Sequence, residues 1–318
     1  MRPCTFEKIV LISPRHLPSE ASARQFWGHT FCCQKGCGIK CFVTKNKILI
    51  IAIIIILGGF FYFRYSEAER HKFKIVFLNV GQGDATVIQF ETGEKMLVDC
   101  GPDRGILSAL GRNLAFYDRT IDYLLISHPD LDHYGGCVDV LKNYQIKKIY
   151  INGREKTDSY FREWKSVSTG YLTEIAGVST TLTIASSSFR FFSPDLSLVF
   201  KNKISDNDYS IIFKLSHGSS SYLFTGDAEE TLEKLLVEKY CPEVNNACPL
   251  QSGVLKVGHH GSDGSSSELF LSRVKPIEAV ISVGKNKFGH PGLRAIRHLE
   301  RIGAKIKRTD ESGDISIK

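Results

Sequence analysis

Residues 127–133 of this 318-residue chain set His128, Asp130 and Asp132 at alternate positions and follow them at once with His133. Imidazole nitrogens and carboxylate oxygens in so short a window are the ligand types of a Zn²⁺- or Mn²⁺-class ion. A single His-x-Asp pair is ordinary in a solvated turn. Four such groups together argue for a metal site, provided the rest of the chain brings more ligands. Residues 225–227 end in Asp227 after a Thr-Gly turn, and its two carboxylate oxygens could reach two ions. Residues 255–262 carry His259 and His260 side by side, followed by Ser262. His290 precedes a proline and a helix, and could line the site or cap that helix. Asp132 or Asp227 could accept a water's proton. Ser262, with the serines at 265–267, could offer hydroxyl and amide donors to a phosphate, although serines there commonly cap helices.

Each ligand stretch follows a short apolar run that reads as a buried strand: 121–126, 221–224 and 253–257. Gly135 and Gly136 then let the backbone turn into a helix. The candidate ligands therefore fall on loops at strand ends, where sites on α/β scaffolds gather. Further strands are expected at 74–80, 85–90, 95–98, 188–192, 209–215 and 279–283, with a last strand pair within 305–317. Helices are expected at 105–114, 228–240, 268–274 and 292–302. Residues 153–180 show no clear period and read as an insertion near the site. Strand clusters followed by helix–strand alternation, without an internal repeat, imply two sheets packed face to face with helices outside.

The net charge of +7 suggests nucleic acid until it is divided along the chain. Residues 1–47 hold eight basic and two acidic residues, and the remainder is nearly neutral, with 33 and 32. The main domain has no evident basic stripe, which counts against a long nucleic acid. Five of the nine cysteines (Cys4, Cys32, Cys33, Cys37, Cys41) lie before residue 48, in a spacing that matches no common zinc ribbon. Cys241 and Cys248 flank a polar loop and could form a disulfide if their domain is exported. Residues 48–63 are uncharged, between Lys47 and Arg64. As a helix they span about 24 Å, short of a ~30 Å hydrocarbon core unless the flanking cations snorkel. We expect a single membrane span or signal anchor there, with the basic 1–47 tail in the cytoplasm and the rest outside. Translation starting at Val43 would remove most of that tail and leave an ordinary export signal. Residues 64–72 read as a linker, and 73–318 as the main domain.

In order, Gly81-Gln82-Gly83-Asp84, Asp99-Cys100-Gly101, the 128–133 cluster, Thr225-Gly226-Asp227, His259-His260-Gly261-Ser262 and Gly289-His290-Pro291 resemble the metallo-β-lactamase superfamily. They look most like its ComEC-type branch, the soluble carboxyl-terminal domain of a competence protein. The resemblance covers about residues 73–318. It implies a four-layer αββα sandwich, of mixed α/β (α+β) class, with two divalent metal ions (Zn²⁺ or Mn²⁺) at one sheet edge; the one transmembrane helix expected at 48–63 would precede it. Residue by residue, it implies that His128 and Asp130 face the first ion. Asp132, His133 and one of His259 and His260 would face the second, with Asp227 between. Asp84 and Asp99 would be structural supports. Asp130 stands where most members have a histidine. A further metal-binding histidine expected before Asp227 has only His217 to answer for it, in what reads as a hairpin turn. Residues 207–210 match the branch's pattern there, with Asn207 and Ser210 as polar groups lining the site.

The expected function is that of a membrane-anchored, exported metal-dependent phosphodiesterase, with single- or double-stranded DNA or a small phosphodiester as substrate. DNA uptake or degradation comes from the branch by analogy. A hydrolase of a small ester, lactone or β-lactam is the alternative, and a non-catalytic binding module is a second. Protein partners are not legible.

Overall fold

A computed structural model describes residues 38–195, 205–242 and 247–317. The cysteine-rich residues 1–37 lie outside these. The chain divides into two compact units between Tyr62 and Phe63. Most of the helix Gly38–Arg70 belongs to the first. Within it, Asn46–Glu69 contains an 18-residue window of mean hydropathy 2.3, and is the one helix among the described residues long and apolar enough, by length and composition, to cross a membrane. Its 24 residues extend about 36 Å, of which the uncharged 48–63 account for about 24 Å. The helix does not stop at Arg64: six of the nine residues read as a linker, 65–70, continue it to Arg70.

The second unit holds two seven-stranded sheets. In chain order the strands are β1 (Lys74–Phe77), β2 (Thr86–Gln89), β3 (Lys95–Val98), β4 (Thr120–Leu125), β5 (Gln145–Ile151), β6 (Thr173–Ile175) and β7 (Thr181–Ile184). There follow β8 (Ser187–Ser193), β9 (Ile212–His217), β10 (Ser220–Phe224), β11 (Val254–Lys256), β12 (Glu278–Ile281), β13 (Lys305–Arg308) and β14 (Ile315–Ile317). One sheet runs β14-β1-β2-β3-β4-β5-β6 and the other β13-β12-β11-β10-β9-β8-β7. Each changes from antiparallel to parallel part way, at β3 in the first and β10 in the second.

Alternation along the strands makes the layers. Ile75 and Phe77 of β1 face between the sheets, where they join Ile88, Met96, Phe189, Phe213 and Phe224. Val76 and Leu78 face the other way, into a core with Leu97, Ile106, Leu110 and Trp164. Leu223, Leu255 and Ile281 of the second sheet pack outward on Leu232, Leu236 and Phe270. Helices thus cover both outer faces, and the layers are αββα as expected.

Several local expectations are corrected. β5, β6 and β7 went unread, because Lys147 and Lys148 interrupt the apolar run of β5; they pair with Asp122 and Glu174 at 2.6 Å. Residues 153–180 hold a helix, Ser159–Ser168, besides β6. The strand expected from 209 begins at Ile212, after a 3₁₀ turn at Asn207–Tyr209. The last two strands are not partners: β13 extends the second sheet, whereas β14 pairs with β1 in the first. Cys241 is bonded to Cys248, and Cys100 to Cys137, so all four cysteines after residue 48 are paired.

Candidate metal centre

The loops that leave the carboxyl ends of β3, β4, β10, β11 and β12 meet at one place. Asp99, just past β3, organises the loop after β4 from below. Its carboxylate accepts hydrogen bonds from the Ser127 amide (2.7 Å) and hydroxyl (2.8 Å) and lies 3.0 Å from His133 Nδ1. A second carboxylate, Asp84, is buried beside it. Asp84 is ion-paired to the buried Lys256 at 2.7 Å, and its other oxygen is 3.3 Å from His260 Nδ1. The Gly83 backbone approaches so closely that a Cβ there would sit 2.4 Å from the Asp132 carbonyl oxygen. Only glycine allows that contact.

His128 and His133 are fully buried, and their Nε2 atoms point to a common space with Asp227. His133 Nε2 is 3.2 Å from Asp227 Oδ1, and His128 Nε2 is 4.0 Å from Asp227 Oδ2 and 3.7 Å from Asp130 Oδ2. His260 Nε2 is 3.2 Å from Asp132 Oδ2 and 3.7 Å from Asp227 Oδ2. Among the described residues the groups whose donor atoms could share an ion include His128, His133 and Asp227, and Asp132, His133 and His260. His133 and Asp227 lie where these groups adjoin.

The histidine pair separates cleanly. Both His259 and His260 adopt left-handed backbone (φ 46° and 51°), rare for residues with a Cβ. This twist turns His260 inward, where Nδ1 is fixed 2.9 Å from the Ser282 carbonyl and Nε2 is left to the site. His259 is partly exposed, 3.9 Å from Asp227 and 3.3 Å from Glu229, and belongs to none of the close groups. His290 meets the His259 ring edge to face at 5.3 Å between centroids and lies roughly parallel to the His260 ring at 6.3 Å.

The remaining expected residues are distributed unevenly. Ser210 Oγ accepts from the Asp227 amide at 3.0 Å and lies 3.3 Å from His128 Nδ1, so it touches the ligand cluster. Asn207 is one step out and donates to Glu229. Ser262 Oγ accepts from the Gly264 amide within its own loop. The amides of Ser266 and Ser267 are already committed to the buried Glu233 carboxylate, at 2.6 and 2.8 Å, so these two amides are not open to an anion. His217 ends β9 and stacks on Phe73 at 3.7 Å, away from the site. Ser127, Lys256 and Glu229 were missed: no local pattern marks them. Asp130 turns one oxygen toward His128 and the other onto the Lys156 ammonium.

Charge at the site is divided sharply between acids and imidazoles. Burial opposes ionisation of Asp227, yet His133, His260 and His128 hold it well below the usual carboxylate range. Burial likewise opposes a charged His260, but Asp227, Asp84 and Asp132 push it up to about 10. Asp227 and Asp99 raise His133 well above an ordinary imidazole.

The donor set fits a divalent cation. Among the described residues, buried His128 Nε2, His133 Nε2 and Asp227 Oδ1 have no hydrogen-bond partner, although His133 Nε2 and Asp227 Oδ1 lie 3.2 Å apart. Unsatisfied buried polar atoms are costly and rare. Three aimed at one space, with the far side of His133 and of His260 anchored on carboxylate or carbonyl oxygens, is how metal-binding imidazoles are held.

Residues 78–285 match the family model of the metallo-beta-lactamase superfamily. Among curated proteins, the chain is similar to ComE operon protein 3 of Bacillus subtilis, 29% identical over 235 residues, 72% of this chain and 27% of that protein. It is 28% identical to Recombination protein 2 of Haemophilus influenzae, over 86% of this chain and 33% of that protein. It is also 28% identical to Competence protein ComA of Neisseria gonorrhoeae, over 83% and 35%. The chain thus spans about a third of the length of these relatives. Among solved structures, the metallo-beta-lactamase fold protein YhfI of Bacillus subtilis superposes with a TM-score of 0.51 at 12% identity, covering 77% of this chain and 99% of that one, a likeness of fold. Its αββα layers, the loops gathered at the strand ends and the matched residues place this chain in the metallo-beta-lactamase superfamily.

Proposed function

We propose that the protein is a membrane-anchored, metal-dependent phosphodiesterase of the ComEC type, acting on DNA or a smaller phosphodiester outside the cytoplasm. The observation that carries this reading is the convergence of buried, unpartnered His128, His133 and Asp227 atoms on an oxygen-rich site. Oxygen donors favour hard ions, so Mn²⁺ suits it as well as Zn²⁺. In this reading His128 and Asp130 would hold a first ion, Asp132, His133 and His260 would hold a second, and Asp227 would serve both. Two such ions supply acidity to a water and counter-charge to a phosphoryl oxygen. The chain's own groups do the rest. Asp132, with about a third of its side chain exposed, is better placed than the enclosed Asp227 to accept the water's proton. Asp99 and the Ser282 carbonyl keep the two imidazoles in the orientation that leaves Nε2 free.

Export is supported by the single apolar helix, the basic excess before it and the pairing of Cys100 with Cys137 and Cys241 with Cys248. The competence relatives support DNA as substrate, and the near-neutral domain favours short or single-stranded forms.

The test is made on the full chain in detergent. Bound metal is measured, and cleavage of single- and double-stranded DNA is followed with added Mn²⁺ or Zn²⁺, beside an Asp132→Ala, His133→Ala variant. Metal-dependent cleavage that the variant lacks is the expected result. Bound metal without DNA cleavage would move the substrate to a small ester, lactone or β-lactam, and a protein that holds no metal would be a binding module.

A further inference from the structure

The position assigned above to the first ion draws on His128, Asp130 and Asp227, with His133 near enough to share it. Around His128 Nε2 it has one oxygen of Asp130 at 3.7 Å and one of Asp227 at 4.0 Å. The other Asp130 oxygen is in contact with the Lys156 ammonium. Both side chains are about two-thirds covered, at 33% exposure for Lys156 and 28% for Asp130, so the pair lies at the mouth of the site.

Lys156 is presented by a loop pinned on both sides. Before it, the Asn152 amide donates to the Tyr209 carbonyl at 2.9 Å and accepts from the Arg154 amide at 3.0 Å. The Arg154 guanidinium lies 3.9 Å over the Tyr209 ring and donates to Asp206. After it, Asp158 accepts from the Phe161 amide at 2.9 Å and caps the helix Ser159–Ser168. A long cation held on the carboxylate of a candidate ligand has two consequences. It repels a dication that shares the same carboxylate, and it offers a point charge to a phosphate oxygen.

We propose that Lys156 is a substrate-binding residue that also sets the strength of the first ion site. Its ammonium competes with that ion for Asp130 and holds an oxygen of an anionic substrate at the same mouth. This rests on the metal-hydrolase reading above and adds to it an ion site of adjustable occupancy. The two roles carry opposite signs. Removing the charge strengthens the first ion's binding and weakens the anion's, whereas a residue that merely braced the loop would weaken both.

The experiment titrates Mn²⁺ by calorimetry into the full chain in detergent, as wild type, Lys156→Met and Lys156→Arg, and then titrates inorganic phosphate into each metal-loaded form. In wild type, Mn²⁺ binds in a strong class and a weak class. Lys156→Met tightens the weak class tenfold or more, leaves the strong class within twofold, and weakens phosphate fivefold or more. Lys156→Arg returns both to near wild type. A wild type with one measurable class that gains a second in Lys156→Met is the same result at its limit. The intact strong class reports that the variant is folded. An unchanged weak class or unchanged phosphate binding in Lys156→Met overturns the proposal and leaves the metal reading standing. A wild type that binds no Mn²⁺ defeats both.

Discussion

Asp99 shows how much one buried side chain does here. Its carboxylate ties the Ser127 amide and hydroxyl and the His133 Nδ1 together, so it fixes both the loop and the direction of a candidate ligand. Replacing such a partner typically weakens metal binding 10- to 100-fold. Asp99→Ala is therefore expected to retain its fold by circular dichroism and to lose about that factor in Mn²⁺ affinity by equilibrium dialysis; an unchanged affinity would remove Asp99 from the support. The imidazoles make a second prediction. His260, pushed up to about 10, and His133, also raised, carry protons near neutral pH that a metal ion must displace. Apparent metal affinity should rise with pH through neutrality. Titrations at pH 7.5 in two buffers of different ionisation enthalpy should report proton release of about one or more per ion. Equal heats in both buffers would mean the histidines are already neutral.

At the scale of elements, the loop from β11 to the helix Glu268–Val274 is held by a group outside the site. Glu233, on the helix Glu230–Tyr240, accepts the Ser266 and Ser267 amides, while Ser267 Oγ caps Phe270. Burial dominates over these hydrogen bonds and pushes Glu233 up to about 7. A carboxyl group raised on folding contributes stability that is complete below its unfolded value of 4.5 and is lost as pH rises through about 7. Wild type should therefore lose on the order of 3 kcal/mol between pH 4.5 and 8 from this group alone. Glu233→Gln lacks that dependence, so its stability relative to wild type should increase with pH. Urea unfolding of both proteins at pH 5 and pH 8 measures the difference. Parallel behaviour of the two would show that Glu233 ionises normally.

For the molecule as a whole, the paired cysteines and the charge pattern around the apolar helix bear on where the domain works. The Cys100–Cys137 bond closes a 37-residue separation between the Asp99 loop and the helix Cys137–Asn143. Opening a loop of that size costs about 2–4 kcal/mol. Reduction is expected to lower the thermal midpoint by several degrees and to weaken metal binding along with it, since the bond adjoins Asp99. If the domain is exported, thiol-blocking reagents applied to cells under non-reducing lysis should leave all four of these cysteines unlabelled. Labelling of any of them would place the domain in a reducing compartment.

The order of motifs, the ligand types and the layered class were legible because each is local: an apolar strand, a tight turn, then His or Asp. Strand periodicity also separates inward from outward residues, so much of the core follows from the chain alone. Other features depend on residues far apart in sequence. Lys256 under Asp84, Lys156 on Asp130, and Glu233 beneath Ser266 and Ser267 pair groups between 26 and 172 positions apart. No period or spacing connects them. Residues 305–317 read as two neighbouring strands, yet the fold sends them to different sheets, because each edge lacked a partner that only the assembled sandwich supplies. The choice of His260 over His259 is of the same kind. Their side chains are identical, and the left-handed turn after β11, set against β12, decides which ring is buried beside Asp132. Sequence determined which chemistry the chain can offer; tertiary structure decided which copies of it meet, since contact in space depends on how strands pair and turns twist.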